Sequence, residues 1–320
     1  MTEFFLHLIV NEHAGAGKGG QTAKLVIDNL EKQQIAYTVY KTEHPKHAID
    51  LAAAVAAEKL VPWHEETDKQ EPFPLLVVIG GDGTLHEVVN ALAEQPLIPV
   101  AYIPAGSGND FARAAKISRQ PEEALRHLLT TTKPKELTIL SYTEAIAEEQ
   151  QLFVNNVGIG LDAAIVAAAN ASENKARLNK FNFGSLSYLS AALKILFRQK
   201  GFPISVSANG QTIAFEHAFL CTTTNHPYFG GGVAIDPLAD VTQDEFSLIV
   251  VERIPLIKIF YLMLLLIRKK HLTSAHVHRF VSRHLQIVST VPQAGQTDGE
   301  EMGVRPYDIQ FSTAKRLFWL

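Results

Sequence analysis

The chain has a single cysteine, Cys221, in 320 residues. One thiol builds neither a disulfide framework nor a cysteine-rich zinc site, and it fits a reducing compartment. Long hydrophobic runs are absent too. The longest, Ile259 to Ile267, is bounded by Lys258 and by Arg268, Lys269 and Lys270. A membrane-spanning helix needs about 20 apolar residues, so this run does not cross a bilayer. The opening MTEFFLHLIVNEH lacks a positively charged start and a small-residue cleavage site, which argues against a signal peptide. Charge of one sign is not in excess: a formal net charge of −4 argues against a generally basic nucleic-acid binder. The histidines form no H-E-x-x-H pattern, and there is no internal repeat or low-complexity tract. The expectation is a cytoplasmic protein without a transmembrane segment, peripheral contact with the inner face of a membrane remaining open.

What is present is apolar residue in quantity, 47%, enough to bury sizeable cores. The length suits two domains. In the first part, strand-like and helix-like segments alternate. Phe4 to Val10 is an almost unbroken apolar run, as expected of a strand buried on both faces. Helical spacing follows at 21–33, a strand at 35–40, an Ala-rich helix at 46–60, and a polar, Pro-bounded loop at 61–74. Then come a strand at 75–79, a helix at 85–93, a strand at 99–103 and a short helix at 109–116. This order predicts an α/β domain over 1–135 with a doubly wound, mostly parallel sheet. From about residue 136 extended segments dominate, at 136–143, 151–157, 203–208, 212–223, 245–252 and 284–290, with helices at 161–178, 184–199 and 255–270. Gly and Pro turns among them predict a β-rich, sandwich-like domain over 136–304.

The stretch VVIGGDGTLHEVVN, 77–90, carries the strongest local signal. An apolar strand ends on Gly80 and Gly81, then Asp82, Gly83 and Thr84 lead into a helix. In an open α/β sheet this carboxyl end of a strand is where ligands bind. Glycines let backbone N–H groups face a ligand, and the helix start favours an anion. Thr84 and Glu87 have the spacing of a capping box. Asp82 would repel a phosphate unless a divalent cation lay between them. A ligand-free glycine turn is the plainer alternative.

PAGSGNDFAR, 104–113, follows the next strand and exposes backbone again at Gly106 and Gly108, with Ser107 as a phosphate donor and Asn109 or Asp110 as helix cap. The first strand runs into NEHAGAGKGG, 11–20, which contains a formal G-x-G-x-x-G. Four residues separate that strand from Gly15, too many for a dinucleotide fingerprint, and Glu12 stands where a Walker A loop needs glycine. A loop that covers phosphate, with Lys18 as charge partner, needs neither motif.

Together, IGGDGTLHEVVNAL, PAGSGNDFAR and a later QTDGE resemble the bacterial diacylglycerol kinase-like lipid kinases, whose catalytic domain sphingosine and ceramide kinases share. IVNEHAGAGKG looks like the family's Asn-Pro-x-x-Gly start, with Glu12 in place of Pro. Thr42, His47 and Ala48 look like its second-strand segment, and YFGGGVAIDPLA, 228–239, its second-domain glycine turn. GGDGT alone is less specific, since NAD kinases carry it and phosphofructokinases a close relative. The resemblance implies a nucleotide-binding first domain, a sandwich second domain, a cleft between them, and final residues, 305–320, packed back on the first domain. It implies an ATP site lined by Asn11, Gly15, Thr42, Gly80, Gly81, Asp82, Gly83, Thr84, Glu87 and Ser107. The acceptor would be a lipid at the membrane surface, with Mg2+ as cofactor and a homodimer left open.

QTDGE supplies Asp298 and Glu300. In extended backbone, residues i and i+2 share a face. Glu300 is assigned the general base, as the resemblance also suggests, with Asp298 orienting it or the metal. On spacing alone the segment is an ordinary acidic turn. One departure stands out. Where the family carries Asp-Asp-Gly-x-Leu/Phe-Asp around a structural Mg2+, this chain has Thr242, Gln243, Asp244, Glu245, Phe246 and Ser247, leaving Asp244 as the one substitute ligand. The apolar helix 255–270 reads as a core helix of the second domain, and alternatively as a contact with anionic membrane through its basic end. The rivals to a diacylglycerol-like acceptor are a same-fold kinase with a soluble acceptor such as NAD, a non-catalytic nucleotide- or lipid-binding regulator, and, more distantly, a nicotinamide oxidoreductase.

Overall fold

The computed structural model describes residues 3–64, 72–179 and 195–320. The expected helix at 184–199 lies mostly outside them. Strand β1 (Phe4–Val10) is followed by α1 (Ala14–Lys32), β2 (Ala36–Lys41), α2 (His47–Lys59), β3 (Phe73–Gly80), α3 (Asp82–Ala91), β4 (Val100–Pro104), α4 (Asp110–Ala114) and α5 (Pro121–Thr130). The four strands lie in the order β2-β1-β3-β4 and pair in parallel. Alternate side chains of β1 and β3 enter two cores, as the period of a strand requires. Leu6, Leu8, Leu75 and Val77 pack with α1 and α5, while Ile9, Leu76 and Val78 pack with α2 and α3. Burying each such aliphatic side chain is worth about 1.5–3 kcal/mol.

Two differences from the sequence reading matter. The helix after the first strand begins seven residues early by its hydrogen bonds, yet Gly15, Ala16 and Gly17 hold φ of 58°, 59° and 93°, so a left-handed loop precedes the regular helix. Helix α5 was not anticipated, although Pro121 at its start and Ala124, Leu125 and Leu128 on one face specify it.

The second part comprises β5 (Lys135–Glu144), β6 (Glu149–Phe153), β7 (Asn156–Gly160), α6 (Leu161–Asn179), β8 (Phe202–Ala208), β9 (Gln211–Thr224), β10 (Tyr228–Phe229), β11 (Val233–Ala234), β12 (Phe246–Glu252), α7 (Leu256–Ile267), β13 (Val277–Ser282), β14 (His284–Thr297) and β15 (Glu300–Phe318). The expected strand at 151–157 is two strands with a bend between them. Both β7 and β8 pair with β9 and also with β14, so the pairing closes on itself around an apolar interior. This is the sandwich-like second domain.

The chain then returns to the first domain. Phe318 pairs with Val100 of β4, and Trp319 sits in an aromatic nest with Phe4, Trp63 and Phe73 at centroid distances of 5.3, 5.0 and 5.7 Å. The Trp319 indole N–H donates to the Leu128 carbonyl at 3.1 Å. Arg316, also buried, donates to the Leu92 carbonyl at 2.9 Å; burial lowers its pKa to about 10, so it still carries charge.

Candidate active site

Strand order reverses between β1 and β3, and ligands of open α/β sheets bind at the carboxyl ends on either side of such a point. There the Asn11 N–H donates to the Ile79 carbonyl and the Thr42 N–H to the Val10 carbonyl, each at 2.9 Å. These bonds hold three loops around a cleft of about 950 Å³. Asn11, Gly15 and Thr42 line one side of it. Gly81, Gly83, Thr84 and Glu87 line another, and Ser107 closes it from the next loop. The Asn11 amide donates to the Thr84 hydroxyl at 3.0 Å, joining the first loop to the glycine turn.

The glycines divide into two kinds. A Cβ on Gly106 would stand 2.6 Å from the Gly81 Cα, and one on Gly15 would stand 2.4 Å from the Ala105 carbonyl oxygen. Those residues are glycine because loop backbones touch. Gly80 is not in the cleft lining; its Cβ would strike the Thr84 side chain at 2.7 Å. Gly83, by contrast, has nothing within 4 Å of its Cβ position and opens on the cleft. The anticipated capping box does not form. Helix α3 starts at Asp82 with Gly81 as its cap and no side-chain cap bond. Glu87 instead accepts the Lys46 and Ala48 N–H groups, both at 3.1 Å, and so caps α2.

Asp82 is turned from the glycine cleft toward the next loop. It accepts the N–H groups of Asp110 and Phe111 at 3.2 and 3.4 Å, which neither Asn109 nor Asp110 caps with its own side chain. The Asn109 amide pins the loop itself, bonding both the N–H and the carbonyl of Gly106. Asp110 accepts the Gly231 N–H at 2.8 Å, which seats the second-domain glycine turn on α4. Burial, then the neighbouring Asp110 and the more distant Asp298, raise the Asp82 carboxyl to about 6. Its two backbone bonds are long, at 3.2 and 3.4 Å, and leave carboxylate lone pairs free.

Asp298 is not in extended backbone. Asp298 and Gly299, at φ 48° and 89°, form the two-residue turn of the β14–β15 hairpin. The expectation that Asp298 and Glu300 share a strand face is therefore corrected. The Asp298 side chain is fully buried and accepts the N–H groups of Val154, Asn155 and Asn156 at 2.8, 2.9 and 3.0 Å. His86 of α3 donates to it from Nδ1 at 2.8 Å. Burial works against the charged imidazole, but the Asp298 carboxylate outweighs it and raises the His86 pKa. Glu300, half-buried, faces this end of α3 and helps raise the pKa of Glu87, for which burial is the main cause.

His86 and Asp162 were missed by the sequence reading. His86 stands inside the glycine-turn helix, three residues past Gly83, which was the one available signal. Asp162, buried at the start of α6 and pushed by burial up to about 6, accepts from Thr222 at 2.6 Å and from Gln296 at 3.4 Å, supporting the hairpin from behind.

Asp244 does not suit a metal. Its carboxylate lies 3.4 Å from Arg283 and 3.6 Å from Lys315, so two cations already surround it. Ser247, where the family's third acid is expected, donates to the buried Asp236, which Arg279 neutralises from Nε at 2.9 Å. No group of three or more acidic, His or Cys residues stands ready for a metal among the described residues. The residues of 242–247 do not fit the structural Mg2+.

Two family models match the chain. The diacylglycerol kinase catalytic domain matches residues 6–141, and the YegS C-terminal NAD kinase beta sandwich-like domain matches 155–315. A Bacillus subtilis (strain 168) protein named "Putative lipid kinase YtlR" is 29% identical over 311 residues, covering 95% of this chain and 96% of the relative. Among solved structures, a diacylglycerol kinase from Bacillus anthracis str. Sterne superposes with TM-score 0.66 at 18% identity, covering 99% of this chain and 96% of the other. Yeast NADH kinase complexed with NADH superposes with TM-score 0.51 at 12% identity, covering 99% and 83%. At such identities these likenesses speak for the fold.

Proposed function

The chain belongs to the diacylglycerol kinase catalytic-domain family, and from that premise we propose that it transfers the γ-phosphoryl group of ATP to the primary hydroxyl of a diacylglycerol-like lipid. The observation that carries this reading is the convergence of Asn11, Gly83, Thr84 and Ser107 on one cleft at the point where strand order reverses. Amides at Gly83 and Thr84 grip phosphate at the start of α3, and the Ser107 hydroxyl donates to it. ATP supplies the phosphoryl group and a leaving group. Asp82 is the carboxylate that would hold Mg2+ beside the phosphates, and the cation would supply neutralisation of the charge that builds on them.

Glu300 takes the proton of the lipid hydroxyl while the hydroxyl oxygen bonds to phosphorus and ADP departs. A positioned base of this kind is worth about 10²–10⁴ in rate. Asp298 does not touch the reacting atoms. It positions Glu300 by fixing the hairpin turn to α3 and to the loop before β7. Offering the protein γ-labelled ATP with diacylglycerol in mixed micelles, or with NAD, tests the assignment. Label in the lipid supports it. Label in NAD alone assigns a soluble acceptor instead, and ATP binding without transfer to either makes the protein a regulator.

A further inference from the structure

Helix α7 shows its apolar side to solvent. Only Ile259 and Leu262 are buried, packed over the second domain with Ile249 and Val277. The exposed residues are Ile257 (81%), Tyr261 (62%), Leu264 (54%) and Ile267 (78%), with Phe260 and Met263 also exposed beside them. Positions 257, 260, 261, 264 and 267 follow helical spacing, so they form one outward stripe. Phe197, itself exposed, extends the stripe by packing on Phe260 at 6.4 Å between centroids. The expectation of a core helix is thus corrected: α7 has one thin buried edge and a broad apolar face with no partner among the described residues.

The stretch of chain that carries this face has charge of one sign. From Arg253 to Thr297 the sequence has seven Lys and Arg residues and no Asp or Glu, in a chain whose formal net charge is −4. Arg279 and Arg283 are spent on Asp236 and Asp244. Lys258, Arg268, Lys269 and Lys270, at the two ends of the stripe, are exposed and make no ion pair among the described residues. Arg198 and Lys200 are exposed next to Phe197. At 12 residues the helix is about 18 Å long, too short to cross a bilayer but suited to lying in its surface. An apolar face rimmed by unpaired cations is complementary to acyl chains beneath anionic headgroups, whereas a second copy would set these cations against each other.

We infer that α7 docks flat on an anionic phospholipid bilayer, with Ile257, Tyr261, Leu264 and Ile267 in the acyl boundary and Lys258 and Arg268 to Lys270 among the headgroups. The inference deepens the lipid-kinase reading by naming the surface through which the protein reaches its substrate, but it does not require that reading to hold. The test is co-sedimentation, without nucleotide, on vesicles of phosphatidylcholine with and without phosphatidylglycerol. The wild type should bind the anionic vesicles in a salt-sensitive way. Lys258→Glu with Lys270→Glu should weaken binding about 25-fold or more, at about fivefold for each basic residue lost. Ile257→Glu with Leu264→Glu should weaken it at least as much, both positions being exposed and neutral to folding.

Equal binding of the variants and the wild type would overturn the proposal. So would a concentration-dependent dimer, seen by sedimentation velocity, that the Ile257→Glu, Leu264→Glu variant abolishes. Activity on diacylglycerol dispersed in detergent separates the two claims. A protein that phosphorylates dispersed lipid but ignores anionic vesicles overturns docking alone. One that binds the vesicles through α7 but phosphorylates no lipid supports docking and overturns the kinase reading.

Discussion

The His86 Nδ1 lies 2.8 Å from the Asp298 Oδ2, and this contact ties the helix after the glycine turn to a hairpin 212 residues away. Both side chains are almost wholly buried. Removing one partner of a buried pair typically costs about 3–5 kcal/mol, because the other is left uncompensated. His86→Ala should therefore lower unfolding stability by that amount in urea titrations at pH 6. The folded-state pKa of His86 is raised above its ordinary 6.5. The charged pair's contribution is then complete below about pH 6.5 and fades as pH rises through the folded value. The gap between wild type and His86→Ala should narrow on the alkaline side; a gap that widened there would contradict the pairing.

Asp82 predicts the opposite trade. Its carboxyl is raised from 3.8 to about 6, chiefly by burial. Its favourable contribution is complete below about pH 4 and is lost as pH rises through about 6. Asp82→Asn removes that loss and should be the more stable protein at pH 8, by at most about 3 kcal/mol and less for a partly exposed group. Its phosphoryl transfer should fall at least a hundredfold. Matching stability curves for the two proteins between pH 4 and 8 would show that Asp82 is not held as described.

The two kinds of glycine should respond differently. Gly83→Leu meets open space, so it should fold with little loss of stability, yet weaken ATP binding about tenfold or more, about 1.4 kcal/mol. Gly106→Ala drives a methyl group to within 2.6 Å of the Gly81 backbone and should destabilise the fold by about 1–3 kcal/mol. Calorimetric titration with ATP beside thermal unfolding reads both.

With Arg283 and Lys315 already around Asp244, no metal should support the fold at that point. A bound metal at a hundred times its Kd would add about 2.7 kcal/mol, several degrees in Tm for a chain of this size. In the absence of nucleotide, a chelator should leave Tm within about 1 °C. A drop of several degrees would restore the structural metal.

How much of this could be read in the sequence follows from range. The strand Phe4–Val10 and the turn at Gly80 to Thr84 were legible because apolar period and glycine act locally. Which glycine faces a neighbour and which faces the cleft was not, since Gly106 meets Gly81 only after two strands pair. Asp298 looked like half of an extended carboxylate pair; its left-handed φ and its partners at 86 and 154–156 come from the hairpin and from distant chain. Glu87 had the spacing of a box with Thr84 but found unpaired N–H groups at α2. Asp244 kept an acid near the expected place, while the cations that occupy its surroundings lie 39 and 71 residues further on. The apolar period of 256–267 was plain, but which side of it faces solvent depends on the sheet beneath.

The measurement that bears most directly on the central claim is transfer of label from γ-labelled ATP to diacylglycerol in mixed micelles by the wild type and by Glu300→Gln. The expected result is a labelled lipid product with the wild type and a rate lowered by about 10²–10⁴ in the variant, with ATP binding and thermal unfolding unchanged. Full lipid phosphorylation by Glu300→Gln would contradict it.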